Sequence, residues 1–197
     1  MTLKAKGLAS LADVHALERD SLDTSMDWKT TYEALQSGTS IAPNEPAITF
    51  FLDAKKPEQA HVQTHAELLS GIHRYANTFH RLGIQRTDVV AYVLPNLPET
   101  FAVIWGGQAA GIVLAINPMI DAKQMGQLMR AANAKVLVTL EPTPKTDIWQ
   151  KASHAAKSVP SLRTVLVASF RRYLSGFQRA GLWGYGILNS SKEQKLD

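Results

Sequence analysis

The sequence contains no cysteine among its 197 residues, and this absence removes several classes of chemistry. Disulfide bonds, thiolate zinc sites and cysteine nucleophiles are all excluded. A chain without thiols is also compatible with a reducing compartment. Together with a hydrophobic content of 45% and modest charge, this composition predicts a globular cytoplasmic protein of one α/β domain.

Long hydrophobic runs are also missing. The longest, residues 101–118, is interrupted by Gln108 and three glycines and ends at Asn117 and Pro118. A buried helix followed by a buried strand explains this run better than a membrane span does. The N-terminal residues include a basic start but no apolar core, so we expect no secretory signal.

Most of the chain lacks a clear excess of basic or acidic groups. Residues 1–144 carry 12 basic and 14 acidic groups, whereas residues 145–197 carry nine basic and three acidic groups. The formal net charge of +4 therefore arises in the last quarter of the sequence. Because nucleic-acid-binding domains present a more extended basic surface, we expect no nucleic-acid partner.

What the sequence does contain is an alternation of strand and helix patterns, which predicts an α/β fold with mostly parallel strands and alternating helices. The predicted strands cover residues 47–52, 61–63, 89–94, 112–116, 135–139 and 162–168. The predicted helices cover residues 10–18, 64–82, 98–110, 121–132 and 146–157, and Tyr32 to Leu35 could continue the first of them. In the helix at 121–132, Asp121 is the predicted cap, and Leu128 and Met129 are expected to face inward.

The clearest helix signal follows residue 63. Thr64 and Glu67 have the spacing of a capping box, and Gly83 stands where a helix should end. Further along, residues 86–118 predict a strand, a helix and a second strand in close succession. Their apolar composition predicts that this unit is buried on every face.

Four segments then occur in a recognisable order: HVQTHAELL at 61–69, DVVAYVLPNLPE at 88–99, AAGIVLAINP at 109–118 and AKVLVT at 134–139. Over residues 30–168 the chain resembles the N-terminal part of the AMP-forming adenylating enzymes, specifically the acyl-CoA synthetases. The resemblance implies a large N-terminal domain of several subdomains, followed by a small mobile domain. It also implies that the full-length enzyme uses ATP and Mg²⁺ to convert a fatty acid or other carboxylate to an acyl-adenylate, and then transfers the acyl group to CoA.

The resemblance further implies a Gly- and Ser/Thr-rich loop with a lysine, which holds the phosphates of ATP. Ser37–Ser40 matches this loop only superficially, because Ile41–Pro43 follows without the glycine and lysine. We interpret it as a polar turn. Gly106 and Gly107 lie within a predicted helix and indicate close helix packing. The glycines at 181–186 have neither a preceding strand nor a cation.

No catalytic, cofactor-binding or metal-binding residue is assigned from the sequence. The histidines lack the spacing of a metal site, and we expect them at the surface or at helix ends; they are His61, His65, His73 and His80. Asp88 and Glu99 do not form a recognisable catalytic pair. Glu99, in a first helical turn, is expected to complement the helix N-terminus.

Composition divides the chain into an N-terminal extension (1–30), an α/β body (31–168) and a basic tail (169–197). On a helical wheel five tail residues share one face: Phe170, Tyr173, Leu174, Phe177 and Ala180. A basic amphipathic helix of this kind binds an anionic membrane or a partner's groove, although Gly176 and Gly181 weaken it. The interpretation we favour is a linker, or a terminus altered by truncation or frameshift.

These observations lead to a hypothesis of an N-terminal fragment of an AMP-forming fatty-acid–CoA ligase that is not catalytically competent alone and binds no cofactor by itself. The alternative is a non-catalytic interaction or membrane-associating module, because a partial sheet exposes an edge strand and apolar faces. Such a module would self-associate or bind an anionic membrane through the tail. The hypothesis of a complete small nucleotide-binding domain ranks third, because the sequence has no phosphate-binding loop.

Overall fold

The computed structural model describes residues 9–19 and 28–174. Its helices are α1 (Leu11–Leu17), α2 (Thr31–Ile41), α3 (His65–Arg81), α4 (Pro98–Ala110), α5 (Ala122–Ala131) and α6 (Ile148–Ala156). Its strands are β1 (Pro46–Phe50), β2 (His61–Thr64), β3 (Val89–Val93), β4 (Ile112–Ala115), β5 (Ala134–Leu140) and β6 (Thr164–Ala168). Short 3-10 turns cover Pro57–Gln59 and Arg171–Tyr173.

In the described part of the chain, β3 to β6 form a parallel sheet with the strand order β4-β3-β5-β6. The predicted α/β fold with parallel strands is therefore confirmed. The chain runs from β3 outward to β4, and then crosses to β5 on the other side of β3. The strand order thus reverses between β3 and β5, and β1 and β2 form a separate antiparallel hairpin.

The core lies on both faces of this sheet. The helices pack in two pairs, α3 with α4 and α5 with α6. All residues from Val136 to Leu140 in β5 are buried, so both faces of this strand are covered. Large buried side chains from the helices complete the core; they include Phe79, Met125 and Met129.

Helix α3 begins and ends where the sequence predicts. The Thr64 hydroxyl accepts a hydrogen bond from the Glu67 backbone N–H at 3.2 Å, and the Glu67 carboxylate accepts one from the Thr64 N–H at 2.9 Å. At the other end Gly83 has a φ of +79°, which favours glycine. The N–H groups of Gly83 and Ile84 donate to the carbonyls of His80 and Phe79, and these bonds close the helix.

Two glycines in the middle of helix α4 permit close packing, Gly106 against α3 and Gly107 against β4. A Cβ on Gly106 would lie 2.7 Å from the Tyr75 Cβ and 2.8 Å from the Ile72 carbonyl oxygen. A Cβ on Gly107 would lie 2.5 Å from Val113 Cγ2. The prediction that Gly106 and Gly107 serve close packing is confirmed. None of the described helices is long and apolar enough to cross a membrane.

The prediction that residues 86–118 are buried on every face is wrong in two places. Gln108 and Ala109 in α4 are exposed. Among the strands of residues 28–174, β4 lies at the edge of the sheet and pairs only with β3, and Ile112 is 50% exposed. Apolar composition signals a strand but does not show whether a second strand lies beside it.

The prediction of a polar turn at Ser37–Ser40 is also wrong, because these residues lie in α2. The hydroxyls of Thr39 and Ser40 donate to backbone carbonyls one helical turn earlier, at 2.8 Å and 2.9 Å. Polar side chains whose hydroxyls are hydrogen-bonded within the helix in this way do not interrupt it. Nor does α2 continue α1, since Thr30 caps its start by accepting from the Glu33 N–H at 3.1 Å.

The orientation of Leu128 and the start of the tail also differ from the sequence predictions. Leu128 is 44% exposed, because the inward face of α5 is formed by Met125 and Met129. A helix does not run through the start of the tail, since Arg171–Tyr173 is a 3-10 turn and Leu174 is extended. Phe177, Ala180 and the glycines at 181–186 lie outside the described residues. The remaining helix and strand predictions are confirmed, with ends that differ by a few residues.

These contacts predict opposite effects for two glycine substitutions. Gly106→Ala should reduce the free energy of unfolding by about 2–3 kcal/mol, because its Cβ overlaps α3. Gly38→Ala is the matched control, since its Cβ would meet no atom within 4 Å in α2. It should raise stability by about 0.5–1 kcal/mol. Urea unfolding measures both, and a destabilising Gly38→Ala would contradict the helix assignment.

Candidate functional site at the carboxyl edge of the sheet

The carboxyl ends of the parallel strands lie at one edge of the sheet. In open α/β sheets, ligands bind outside this edge, near the point where the strand order reverses. Here β3 is followed by the turn that leads into α4, β5 by Glu141 and β6 by Ser169. This edge is therefore the candidate functional site.

Glu141 is a buried acidic residue at this edge that accepts three hydrogen bonds. It is 5% exposed, and its Oε1 accepts hydrogen bonds from the Ser169 hydroxyl at 2.6 Å and from the Phe170 N–H at 3.1 Å. Its Oε2 accepts one from Arg171 Nε at 2.7 Å. A buried carboxylate is stable only when a cation and hydrogen-bond donors compensate for lost hydration, and Glu141 has both.

A second carboxylate, Glu99 in the first turn of α4, binds the next residues of the same segment. Arg172 Nη2 lies 2.5 Å from Glu99 Oε1, and the Tyr173 hydroxyl donates to both carboxylate oxygens at 3.1 Å and 3.0 Å. Residues 169–173, named here the exit segment, are thus held by two carboxylates that follow different strands. The predicted position of Glu99 in a first helical turn is confirmed, but its partners could not be read from local sequence.

Tyr173 also joins the exit segment to the β1–β2 hairpin. Its ring makes edge contacts with Phe50 and His61, with ring centroids 4.9 Å and 5.2 Å apart. Burial raises the pKa of the Tyr173 hydroxyl, the hydrogen bond with Arg172 lowers it, and the nearby charge of Glu99 raises it, with a net increase. The phenol therefore stays protonated and continues to donate to Glu99.

The structure does not bring the histidines together. His61 contacts Tyr173, whereas His73 Nε2 lies 2.9 Å from the Tyr32 hydroxyl in a different part of the molecule. Asp88 precedes β3 and accepts from the Gln85 N–H, so it lies at the opposite end of that strand from the turn leading to Glu99. Within residues 9–19 and 28–174, no group of three or more His, Asp or Glu side chains could hold a metal ion.

The arrangement at the carboxyl edge favours positioning over proton transfer. Both carboxylates accept hydrogen bonds from arginines and hydroxyls, and these bonds restrain the exit segment. Sequence reasoning did not identify Glu141, Arg171 or Arg172 as site residues. The one available signal was a charged residue directly after a buried strand, a position that is common at α/β binding sites.

We expect Glu141→Gln to lower the free energy of unfolding by about 2 kcal/mol, because the buried ion pair is lost while the shape is kept. A double-mutant cycle with Arg171→Met should give a coupling energy of about 1 kcal/mol. Asp147→Asn is the control, since the Asp147 side chain is 71% exposed and its pair with Lys151 should contribute less than about 0.5 kcal/mol. Zero coupling between residues 141 and 171 would contradict the assigned role.

Comparison with known proteins places these features in a family. The model of the family described as "AMP-binding enzyme" matches residues 39–180. The chain is 27% identical over 143 residues to a marinolic acid–CoA ligase of Pseudoalteromonas sp., a match covering 73% of this chain and 22% of the relative. It is also 27% identical over 147 residues to a long-chain-fatty-acid–CoA ligase of Bacillus subtilis, covering 74% and 24%. The chain therefore spans about a quarter of the length of these relatives.

Solved structures show the same fold. The anthranilate–CoA ligase AuaEII in complex with anthranoyl-AMP aligns with a TM-score of 0.63 at 15% identity, covering 76% of this chain and 28% of that one. The N-terminal domain of FACL13 from Mycobacterium tuberculosis aligns with a TM-score of 0.58 at 18% identity, covering 72% and 34%. At these identities the similarity concerns the fold alone.

Proposed function

Because this chain belongs to the AMP-binding enzyme family, we propose that it is the N-terminal part of an AMP-forming acyl-CoA ligase. In this reaction a carboxylate displaces pyrophosphate from ATP to form an acyl-adenylate, and the thiol of CoA then displaces AMP. The observation that carries the proposal is the match of the family over residues 39–180, joined by relatives that are named as CoA ligases.

We further propose a fatty acid as the carboxylate substrate. One relative at 27% identity is named for long-chain fatty acids, which supports this choice, and another at the same identity is named for marinolic acid. Relatives named for acetate and 4-coumarate match as well, over 144 and 80 residues. An assay of substrate choice therefore needs acetate and 4-coumarate beside a long-chain acid.

In this proposal the described residues act as a scaffold. Packing and ion pairs hold the sheet and the exit segment in place. The 197 residues contain no Gly- and Ser/Thr-rich loop followed by a lysine, which is the motif that would bind the phosphates of ATP. Without backbone N–H groups and a cation at the ATP phosphates, adenylation lacks the stabilisation of developing charge that it requires. The alternative of an interaction module gains no support from relatives that are all named as CoA ligases or synthetases.

The 197-residue chain alone should therefore release no pyrophosphate above background when incubated with ATP, Mg²⁺, CoA and any of the three acids. A full-length long-chain-fatty-acid–CoA ligase serves as the positive control for the same coupled assay. Acid-dependent pyrophosphate release by the purified chain would show that these residues are sufficient for catalysis, and the scaffold proposal would then be rejected.

The companion test concerns ancestry and does not depend on activity of the 197-residue chain alone. The coding DNA after codon 197 should contain, in one of its three frames, a loop close to Ser-Gly-Thr-Thr-Gly-x-Pro-Lys-Gly. A protein expressed from these 197 codons joined in frame to the following sequence should then form AMP in an assay that depends on the added fatty acid. Absence of the loop from all three frames would contradict derivation from a longer ligase.

A further inference from the structure

Backbone hydrogen bonds tie the base of the β1–β2 hairpin to the start of α3. The base lies where β1 begins and β2 ends, and there the N–H groups of His65 and Ala66 donate to the carbonyls of Glu45 and Pro43 at 3.1 Å and 3.0 Å. These residues come before β1 and after β2 in the chain, so their hydrogen bonds do not restrain the opposite end of the hairpin.

At its opposite end the hairpin contacts a side chain of the exit segment. Phe50 and His61 are cross-strand partners at this end, and the ring of Tyr173 makes an edge contact with each of them. The Tyr173 hydroxyl donates to Glu99, so the ring that contacts the hairpin is itself fixed to the carboxyl edge of the sheet. The hairpin thus has a hydrogen-bonded base and an aromatic contact at its far end.

Between these two ends the hairpin is weakly packed. Gln63 is the one buried residue of β1 and β2, and the others are half-buried or exposed, with Val62 47% exposed. The side-chain carbonyl oxygen of Gln63, Oε1, has no hydrogen-bond partner among the described residues. A buried acceptor without a partner favours a state in which water reaches it, so Gln63 opposes the packing of the hairpin against the body.

Three partly enclosed cavities border the hairpin on the side of the exit segment. Their volumes are about 250, 390 and 400 Å³, and each is lined by hairpin residues and by Arg172. Voids at an interface remove the van der Waals contacts that close packing provides. A two-stranded hairpin is also only marginally stable by itself. The hairpin should therefore open at a lower free energy than the four-stranded sheet.

We propose that the hairpin is a hinged flap, with its hinge at residues 43–46 and 64–66 and with Tyr173 as the latch that holds it closed. Opening moves Phe50 and His61 away from Tyr173 while the four-stranded sheet stays folded. It also gives water access to Gln63 and removes one wall from each of the three cavities. Because Tyr173 binds Glu99, the flap controls access to the polar network at the carboxyl edge. This device does not depend on the proposed ligase activity.

Hydrogen exchange of backbone amides, followed by NMR on the 197-residue chain, measures the opening. In the wild-type protein the protected amides of β1 and β2 should exchange about tenfold faster or more than the amide of Leu137 in the central strand, and with a weaker dependence on urea. The weaker dependence is expected because a flap that opens alone exposes less surface than global unfolding does. Equal rates and equal urea dependence for the hairpin and Leu137 would overturn the proposal.

Two tyrosine variants test the latch. A substitution speeds the exchange of an amide only if the contact that it removes is broken in the opening that exposes this amide. Tyr173→Ala should therefore speed hairpin exchange about tenfold or more. Tyr32→Ala is the matched control, because its ring contacts His73 away from the hairpin. It should speed exchange at Leu137 and leave the hairpin rates unchanged. Unchanged hairpin rates in Tyr173→Ala would contradict the latch.

A third variant has the opposite expected effect and keeps the test independent of any loss of folding in Tyr173→Ala. Gln63→Met replaces the unpaired amide by an apolar side chain of similar length, so it should stabilise the closed flap. The hairpin amides should then exchange about threefold more slowly or less. Faster hairpin exchange in Gln63→Met would contradict the assigned role of the buried acceptor.

Discussion

The buried carboxylate of Glu141 joins the end of the central strand to the chain that follows the last strand. Its hydrogen bonds with Ser169, Phe170 and Arg171 are possible because β5 and β6 are parallel neighbours that end together. A carboxylate buried at this position would be unstable without the arginine, and Ser169, Phe170 and Arg171 would each lose a hydrogen bond without the carboxylate. Glu99 repeats the arrangement from the start of α4, so one helix, the ends of two strands and the hairpin all contact the exit segment.

Local signals predicted most of the fold. The capping box at Thr64 and the stop at Gly83 act over a few residues, and the glycines at 106–107 lie in an apolar helix that can only pack closely. The failures share a cause in long-range structure. The edge position of β4 depends on which strands pair with β3, and the contact between Glu99 and Tyr173 spans 74 residues. The helix at Ser37–Ser40 was missed because its hydroxyls bond to backbone carbonyls, which composition does not reveal.

Family membership and the geometry of the carboxyl edge both support the scaffold role that we propose for these residues. The parallel sheet and its carboxyl edge provide the place where α/β proteins bind ligands, while the side chains there bind one another. The residues at this edge therefore position a chain segment.

The central claim is that Glu141 holds the exit segment, and hydrogen exchange of the Phe170 amide tests it most directly. In the wild-type chain this amide donates to Glu141 and should exchange slowly. In Glu141→Ala it should exchange about tenfold faster or more, while the amide of Leu137, deep in the sheet, keeps its rate and shows that the fold is intact. Equal exchange rates for Phe170 in the two proteins would contradict the account.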